Sequence, residues 1–435
     1  MKRVLLIAVA GCLLLGLAAN VAGELIPVPS FSDHEVPTTE VARADSPVWE
    51  LVHVGVLLAA LVLATYFALV LRSRKYLLLL TVACLVWFGF VRAGCICSVG
   101  STQNVAQGLC NPGFTIPLGV LAFFALPLVF TLFFGRTFCA AVCPLGAVQE
   151  VLAVRSIKVP RWLDHALGLI PFVYLGAAVL FAATGTAYII CRYDPIVAVF
   201  RGGGNVNMVV VTGCLLLVSL FVGRPYCRYL CPYGALLGVF SRFSKWHVRI
   251  VPGECITCRL CEDACPYGAI EPPVAAQSPE ARGQGKRYLG WLLLGVPAII
   301  VLMAWIGTFW GVPLSRLDFD VRLAEQVRLE ETQQAEATDA SDAFRNEGRA
   351  VSELYAEGIE RQQRYAYLGG WLGAWIGLVL SAKLIQLSVR RRHADYQPRQ
   401  SDCVSCGRCF KSCPVELVRL GLIDDVSEKV EEKPA

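Results

Sequence analysis

Eight cysteines fall into two runs that share the spacing C-x2-C-x2-C-x3-C-P. With this spacing, the first three thiolates of a run can bind three irons of one [4Fe-4S] cubane from a single tight loop. Zinc sites of four thiolates usually show two C-x2-C pairs separated by a long spacer, so the runs favour iron–sulfur clusters. The cysteines are Cys255, Cys258, Cys261 and Cys265 in the first run, and Cys403, Cys406, Cys409 and Cys413 in the second.

In two-cluster ferredoxins of this type, the fourth cysteine of each run binds the other cluster. Crossed ligation therefore predicts two clusters, although two predicted membrane spans separate the runs. We assign Cys255, Cys258, Cys261 and Cys413 to cluster 1, and Cys403, Cys406, Cys409 and Cys265 to cluster 2.

A second cysteine motif occurs twice, in residues 135–147 and 223–235, with the pattern G-R-x-[FY]-C-x3-C-P-x-G-A. Each copy follows an apolar stretch in the same orientation, which predicts a duplicated two-helix unit with a pseudo-twofold axis along the membrane normal. On one helix, residues i and i+4 are neighbours, so the two pairs could converge. Three interpretations stay open: a further redox centre (a cluster or a metal), two redox-active dithiols, or packing alone. The four residues are Cys139, Cys143, Cys227 and Cys231.

Four further cysteines lie in segments predicted to face outward, within loops 93–115 and 184–205. The outside is oxidising, which favours disulfides, and a cofactor site near the outer face is the alternative. These residues are Cys95, Cys97, Cys110 and Cys191.

The composition is that of a membrane protein. Hydrophobic residues make up 56% of the 435 and charged residues 17%, against roughly 45–50% and about 25% in soluble domains. Stretches of about 20 apolar residues can span a bilayer. Eight candidate spans lie near 4–22, 49–71, 76–92, 116–134, 166–183, 206–222, 288–310 and 366–389. The predicted fold class is an all-α polytopic membrane protein with a small α+β two-cluster ferredoxin module.

Short loops rich in Lys and Arg alternate with poorer ones, which orients the spans by the positive-inside rule. This places the ferredoxin module in the cytoplasm of a bacterium and the membrane domain in the inner membrane. The predicted parts are a signal peptide or first span (1–22), a short periplasmic segment (23–48), the membrane domain (49–250), ferredoxin half 1 (251–270), a linker (271–285), a span (286–310), a periplasmic helical segment (311–365), a span (366–389), and ferredoxin half 2 with the tail (390–435).

Other cofactors find little support in the sequence. His53 is the one clear histidine inside a predicted span, which disfavours a haem with two axial histidines, and no C-x-x-C-H motif or Walker A motif occurs. Nucleic acid is not an expected partner.

The paired C-x3-C-P motifs, the Asp194-Pro195 that follows a loop cysteine, and the two ferredoxin runs resemble the membrane polyferredoxins related to NosR and NapH. The resemblance covers about 76–270 and 370–415. It implies electron transfer between the quinol pool or a cytoplasmic donor and a periplasmic redox partner, such as a flavoprotein or a cytochrome. Residues 23–48 are too short for the periplasmic flavin-binding domain of full NosR.

The leading hypothesis is therefore a membrane-bound iron–sulfur electron-transfer protein. A redox-sensing or assembly factor for a periplasmic or membrane metalloenzyme is the first alternative. A quinol dehydrogenase subunit with its own quinone site is the second, so enzymatic activity stays open.

Overall fold

The structure, a computed structural model, describes residues 46–93, 97–154, 157–202, 206–250, 255–274, 279–389, 393 and 395–426. The predicted signal peptide or first span at 1–22 and the predicted outward residue Cys95 lie outside this part of the chain.

The described residues are mostly helical. The helices of the first half are α1 (Pro47–Thr65, continued by a π-helix Tyr66–Val70), α2 (Arg74–Cys84, continued by a π-helix Leu85–Val91), α3 (Ser98–Cys110), α4 (Leu118–Phe134), a π-helix (Phe138–Val142), α5 (Pro144–Leu152), α6 (Arg161–Leu167), α7 (Ile170–Thr184), α8 (Ile189–Tyr193), α9 (Pro195–Arg201), α10 (Val206–Ser219), α11 (Pro225–Tyr229) and α12 (Pro232–Ser241). The remaining elements are α13 (Leu260–Ala264), β1 (Ile270–Glu271), α14 (Pro279–Ser315), α15 (Phe319–Glu331), α16 (Asp339–Asn346), α17 (Val351–Ser388), β2 (Gln397–Pro398), α18 (Arg408–Ser412) and α19 (Pro414–Arg419).

Five helical stretches in the described residues are long and apolar enough to cross a membrane: Pro47–Val70, Arg74–Val91, Arg161–Thr184, Gly283–Ser315 and Val351–Ser388. The pair α9 and α10, bent by 95°, would make a sixth if it forms one span. The predicted span 116–134 is the shorter apolar helix α4. The helical membrane domain is therefore confirmed, whereas the predicted count of eight spans is not.

Helix α3 lies where the sequence predicted an outward loop. Its first six residues, Ser98–Gln103, are all buried although most are polar. Hydrogen bonds within the helix and to α8 pair several of these groups: Ser101 Oγ donates to the carbonyl oxygen of Cys97 at 2.9 Å, and Gln103 Oε1 accepts from the backbone N–H of Ile190 at 2.9 Å. Polar residues can be buried here because these bonds offset the cost of desolvation.

The two ferredoxin halves form one small α+β unit, which we call the ferredoxin module (α13, β1, β2, α18 and α19). Strands β1 and β2 pair antiparallel, with Ile270 opposite Pro398 and Glu271 opposite Gln397. Arg399 adds an ion pair to Glu271 at 2.6 Å. The pairing joins segments that lie on either side of α14 and α17 in the chain.

The predicted helical segment 311–365 folds as α15, α16 and the start of α17. A small apolar core of Leu323, Val327, Phe344 and Leu354 holds it together.

Helices α14 and α17 pack at very short range through glycines. A Cβ on Gly307 would meet the backbone of Gly373 at 2.9 Å, and a Cβ on Gly377 would meet Ile300 Cα at 3.0 Å. Small residues spaced four apart allow such close backbone approach between membrane helices. The close contact therefore depends on residues with no side chain.

Gly307→Val should force the α14–α17 pair apart and destabilise the protein by about 1–3 kcal/mol, the usual cost of overpacking. The matched control is Gly295→Val on the same helix, where a Cβ would meet nothing within 4 Å. Thermal unfolding in detergent measures the difference. Equal melting temperatures for the two variants would contradict the packing argument.

Candidate redox site

The thiols assigned to cluster 1 lie together. Cys255, Cys258, Cys261 and Cys413 line one small cavity of the ferredoxin module. The pKa of Cys261 is raised to about 12, first by burial and then by the neighbouring thiols, of which Cys413 contributes most. Cys413, the fourth cysteine of the second run, thus lies beside the first three cysteines of the first run, as crossed ligation requires.

The thiols assigned to cluster 2 form the matching group. Burial, and then the proximity of Cys403, Cys406 and Cys265, raise the pKa of Cys409 well above its ordinary value. Both loops turn through left-handed backbone at equivalent positions, Thr257 and Arg259 in the first run and Ser405 and Gly407 in the second. The two loops therefore share one conformation, and the eight ligand assignments, which stay a prediction, fit it.

The C-x3-C pairs do not lie on continuous helices, contrary to the expectation from the i, i+4 spacing. Cys139 lies in the π-helix Phe138–Val142, but Cys143 is the N-cap of α5 with φ −69° and ψ 118°. In the second copy, Cys231 is likewise the extended N-cap of α12. A proline follows each second cysteine, and a residue before proline is disfavoured in helical conformation.

The four thiols of the two copies nevertheless converge. The pKa of Cys231 is raised well above its usual value by burial and then by Cys227, Cys143 and Cys139. The pKa of Cys143 is likewise raised by burial and then by Cys227 and Cys139. We call Cys139, Cys143, Cys227 and Cys231 the four-thiol site. It is built equally from both copies of the motif.

The arginine of each motif copy reaches across and contacts the other copy. The Cβ position of Gly146 in the first copy lies 3.4 Å from Arg224 of the second, and that of Gly234 in the second lies 3.4 Å from Arg136 of the first. Arg224 donates to the carbonyl oxygens of Cys139 and Ala140. This reciprocal contact is the arrangement expected of a pseudo-twofold repeat, and it puts two buried cations beside the thiols.

Arg136 also joins the four-thiol site to the second ferredoxin run. Its Nη2 lies 3.8 Å from Cys139 Sγ, and its Nη1 donates to the carbonyl oxygen of Ser401 at 2.9 Å. Ser401 stands two residues before Cys403. One buried side chain therefore joins a thiol of the four-thiol site to the backbone just before the second run.

Glu150, on α5, connects the membrane domain with both ferredoxin halves. Its carboxylate accepts from Arg74 at 2.9 Å, Arg224 at 3.2 Å, Arg408 at 2.6 Å and Tyr267 at 3.0 Å. Burial by itself would raise the pKa of Glu150, but the guanidiniums of Arg224 and Arg408 hold that pKa at about 2. Nothing in the motif spacing marked this residue.

Of the outward cysteines, Cys97 and Cys110 carry free thiols. The favoured disulfide is therefore not formed at either residue. Cys97 is the N-cap of α3 and Cys110 is its last residue, so the two lie at opposite ends of one helix.

The donor sets suit iron–sulfur clusters, because soft thiolate ligands select iron–sulfur centres and related metals. Among the residues that the structure describes, no group of three or more His, Cys, Asp or Glu side chains is arranged to hold a single metal ion. The groups that converge here consist of four thiols each.

Family models described as 4Fe-4S binding domain match four stretches of the chain. One model matches residues 115–162 and again 205–250, as expected for a duplicated unit. Two other models match 248–271 and 403–416, the two ferredoxin runs.

Several named relatives are similar over part of this chain. YccM of Escherichia coli is 34% identical over 156 residues, which are 32% of this chain and 43% of YccM. Regulatory protein NosR of Stutzerimonas stutzeri is 24% identical over 264 residues, 53% of this chain and 36% of NosR. The methylamine utilization ferredoxin-type protein MauN of Paracoccus denitrificans is 31% identical over 157 residues, 35% of this chain and 53% of MauN. The chain thus spans about half or less of these relatives' lengths, and no solved structure matches it.

Glu150→Gln should cost about 3 kcal/mol, because it leaves buried guanidiniums without their counter-charge. The depressed pKa adds stability above the ordinary carboxyl value of 4.5 that is lost as the pH falls towards 2. Unfolding measured from pH 6 to 3 should therefore depend less on pH in the variant. The control is Glu360→Gln, an exposed carboxylate on α17, and equal pH slopes for all three proteins would contradict the assignment.

Iron analysis tests the four-thiol site. If it holds a [4Fe-4S] cluster, the protein should contain about twelve irons per chain, and Cys139→Ser or Cys227→Ser should remove about four of them. Cys214→Ser, at a cysteine of α10 outside the motif, serves as the control. Unchanged iron and sulfide in both site variants would leave the dithiol or packing interpretations.

Proposed function

We propose that this chain is a membrane polyferredoxin of the NosR/NapH type that passes electrons between the quinol pool or a cytoplasmic donor and a redox partner across the membrane. The observation that carries the proposal is the contiguous order of the thiol groups. Cys409 lies near enough to Cys261 of the cluster-1 group for the two thiols to interact electrostatically, and Arg136 joins Cys139 of the four-thiol site to Ser401, two residues before the second run. Electrons can therefore move between sites through short protein contacts.

Iron–sulfur clusters bound at these thiols would supply reversible one-electron transfer. The chain's own residues hold the thiols in place, exclude water and compensate charge. Buried Arg136 and Arg224 offset thiolate charge at the four-thiol site, and Gln149 Nε2 donates to Cys227 Sγ at 3.6 Å. Hydrogen bonds to cluster sulfurs and nearby charge are among the main determinants of cluster potential.

A large cavity beside these groups supports quinol as the donor. Its volume is about 410 Å³, within the range of small-molecule sites. Apolar side chains of α7 and α17, including Phe172, Trp375 and Leu378, line it together with Cys227 of the four-thiol site. Its charged lining comes from both the membrane domain and the ferredoxin module: Arg136, Asp164, His165, Arg224, Arg228, Arg242, Lys383, Arg399 and Asp402.

These polar groups suit quinol chemistry. A quinol gives up two protons with its two electrons, and Asp164, His165 and Asp402 are groups that can accept protons. Lys383 and Arg399 can donate hydrogen bonds to the quinone oxygens. The apolar wall suits the ring and the start of the isoprenoid tail, so one cavity combines an apolar surface with proton acceptors and hydrogen-bond donors.

The distribution of Lys and Arg in the short loops favours a cytoplasmic ferredoxin module. In this proposal the four-thiol site, which the membrane domain holds, is the next site of the electron path after the ferredoxin module. A periplasmic flavoprotein or cytochrome is the partner of this proposal, and the helical segment of α15 and α16 offers it a docking arm. The inner membrane of a bacterium is the location that we propose.

Anaerobic EPR with a short-chain quinol tests the proposal. The quinol should reduce the clusters of the purified protein, and Ala382→Phe, which fills the cavity from α17, should slow that reduction at least about tenfold, the loss expected when reacting groups are displaced. Leu384→Phe, on the same helix and 41% exposed, is the matched control. Dithionite reduction should be the same in all three proteins.

If dithionite reduces the clusters but quinol does not, the quinol arm of the proposal fails and a cytoplasmic donor remains. If neither reductant produces a cluster signal, electron transfer itself is contradicted.

A further inference from the structure

Cys97 and Cys191 bring two thiols together next to the four-thiol site. Cys97 and Cys143 line one cavity. The sulfurs of Cys191 and Cys97 lie 3.2 and 3.3 Å from the position that a Cβ on Gly100 would occupy. A side chain at position 100 would press on both sulfurs, so the glycine leaves room for the two thiols beside each other.

Burial and the nearby carboxylate of Asp194 raise the pKa of Cys97, so its thiol is protonated at rest and needs an acceptor for its proton when it reacts. The first turn of the helix that it caps acts in the opposite sense. Cys97 caps the N-terminus of the 13-residue helix α3, and its sulfur accepts from the backbone N–H of Gly100 at 3.1 Å. Helix N-termini stabilise thiolates through their N–H groups and dipole. On the other side, the sulfur lies 3.9 Å from Oδ2 of Asp194, a carboxyl group that is 2% exposed. A proton acceptor therefore stands beside the thiol.

Hydrogen bonds continue from Asp194 to the four-thiol site. Its Oδ1 accepts from the hydroxyl of Tyr226 at 3.3 Å, and the carbonyl oxygen of Tyr226 accepts from the N–H of Cys231 at 2.8 Å. Tyr226 is also the residue before Cys227. The thiol pair is thus linked to both cysteines of the second motif copy, while Cys191 is exposed.

We propose that Cys97 and Cys191 form a redox-active dithiol–disulfide pair, with Asp194 as the acceptor of the Cys97 proton. This inference rests on the proposed electron-transfer function and extends it towards the side of the membrane opposite the ferredoxin module. The pair would exchange two electrons, whereas each proposed iron–sulfur site exchanges one. A protein dithiol or disulfide that reaches the exposed Cys191 is the class of partner that this site suits.

The chemistry balances within these groups. Oxidation breaks two S–H bonds and forms one S–S bond. One proton moves to Asp194, and the other leaves to water at Cys191. The two electrons pass singly to one-electron acceptors of the iron–sulfur class, and reduction reverses every step. When a partner disulfide is the oxidant instead, the thiolate of Cys191 attacks it, and Cys97 displaces the partner's reduced thiols.

Differential alkylation of the full-length protein in membranes tests the inference. After mild oxidation, Cys97 and Cys191 should resist maleimide, and a non-reducing digest should yield their two peptides linked. After anaerobic dithionite, both should take the label. Asp194→Asn should slow formation of the Cys97–Cys191 link on the order of tenfold, because the buried Cys97 thiol then lacks an acceptor for its proton, without changing alkylation of Cys110.

Several results would overturn it: a link of Cys191 to any other cysteine, equal labelling in both redox states, or loss of iron from Cys97→Ser. Cys110→Ser is the matched control, since Cys110 lies at the exposed far end of the same helix. The proposed function can fail separately. If quinol and dithionite leave the clusters unreduced while added dithiothreitol still cycles the pair, only the electron-transfer proposal is lost.

Discussion

The buried carboxylate of Glu150 accepts hydrogen bonds from residues in four separate parts of the chain: Arg74 at the start of α2, Arg224 in the second motif copy, Tyr267 in the first ferredoxin half and Arg408 in the second. Because a charge this deeply buried is tolerated only when it is fully paired, the four segments are held in one arrangement. The position of the ferredoxin module against the membrane domain depends on that constraint.

Charge compensation also explains the form of the four-thiol site. Four thiols that converge in a buried place repel one another once ionised, and the nearby arginines counter this. Burial and the neighbouring Cys139 raise the pKa of Cys227, whereas Arg224 and Arg136 lower it, which leaves it at about 11. Because the arginine of each motif copy contacts the other copy, neither copy could build the site alone. The duplication is therefore a structural requirement of this site.

Much of the candidate site could be predicted from the sequence, because cysteine spacing is a local property. The C-x2-C-x2-C-x3-C-P runs predicted two loops of one conformation, and the structure gives both loops left-handed backbone at matching positions. The i, i+4 argument for Cys139 and Cys143 was wrong in its local geometry, since the proline that follows Cys143 breaks the helix there. The sequence predicts a loop where helix α3 lies, because this stretch is rich in Ser, Thr, Asn and Gln and lacks the apolar stripe by which helices are recognised.

By itself, the sequence determined the candidate thiol ligands, which stay a prediction, together with the duplication and the membrane character, since each depends on residue type and spacing along the chain. Only the tertiary structure decided which groups meet. Glu150 and Gln149 lie in an ordinary apolar helical stretch, and their long-range partners are between 74 and 258 residues away. The neighbouring sulfurs of Cys97 and Cys191, the arginine contacts between the motif copies and the cavity beside Cys227 likewise depend on long-range packing. Such contacts arise from the burial of several segments at once, which no local pattern records.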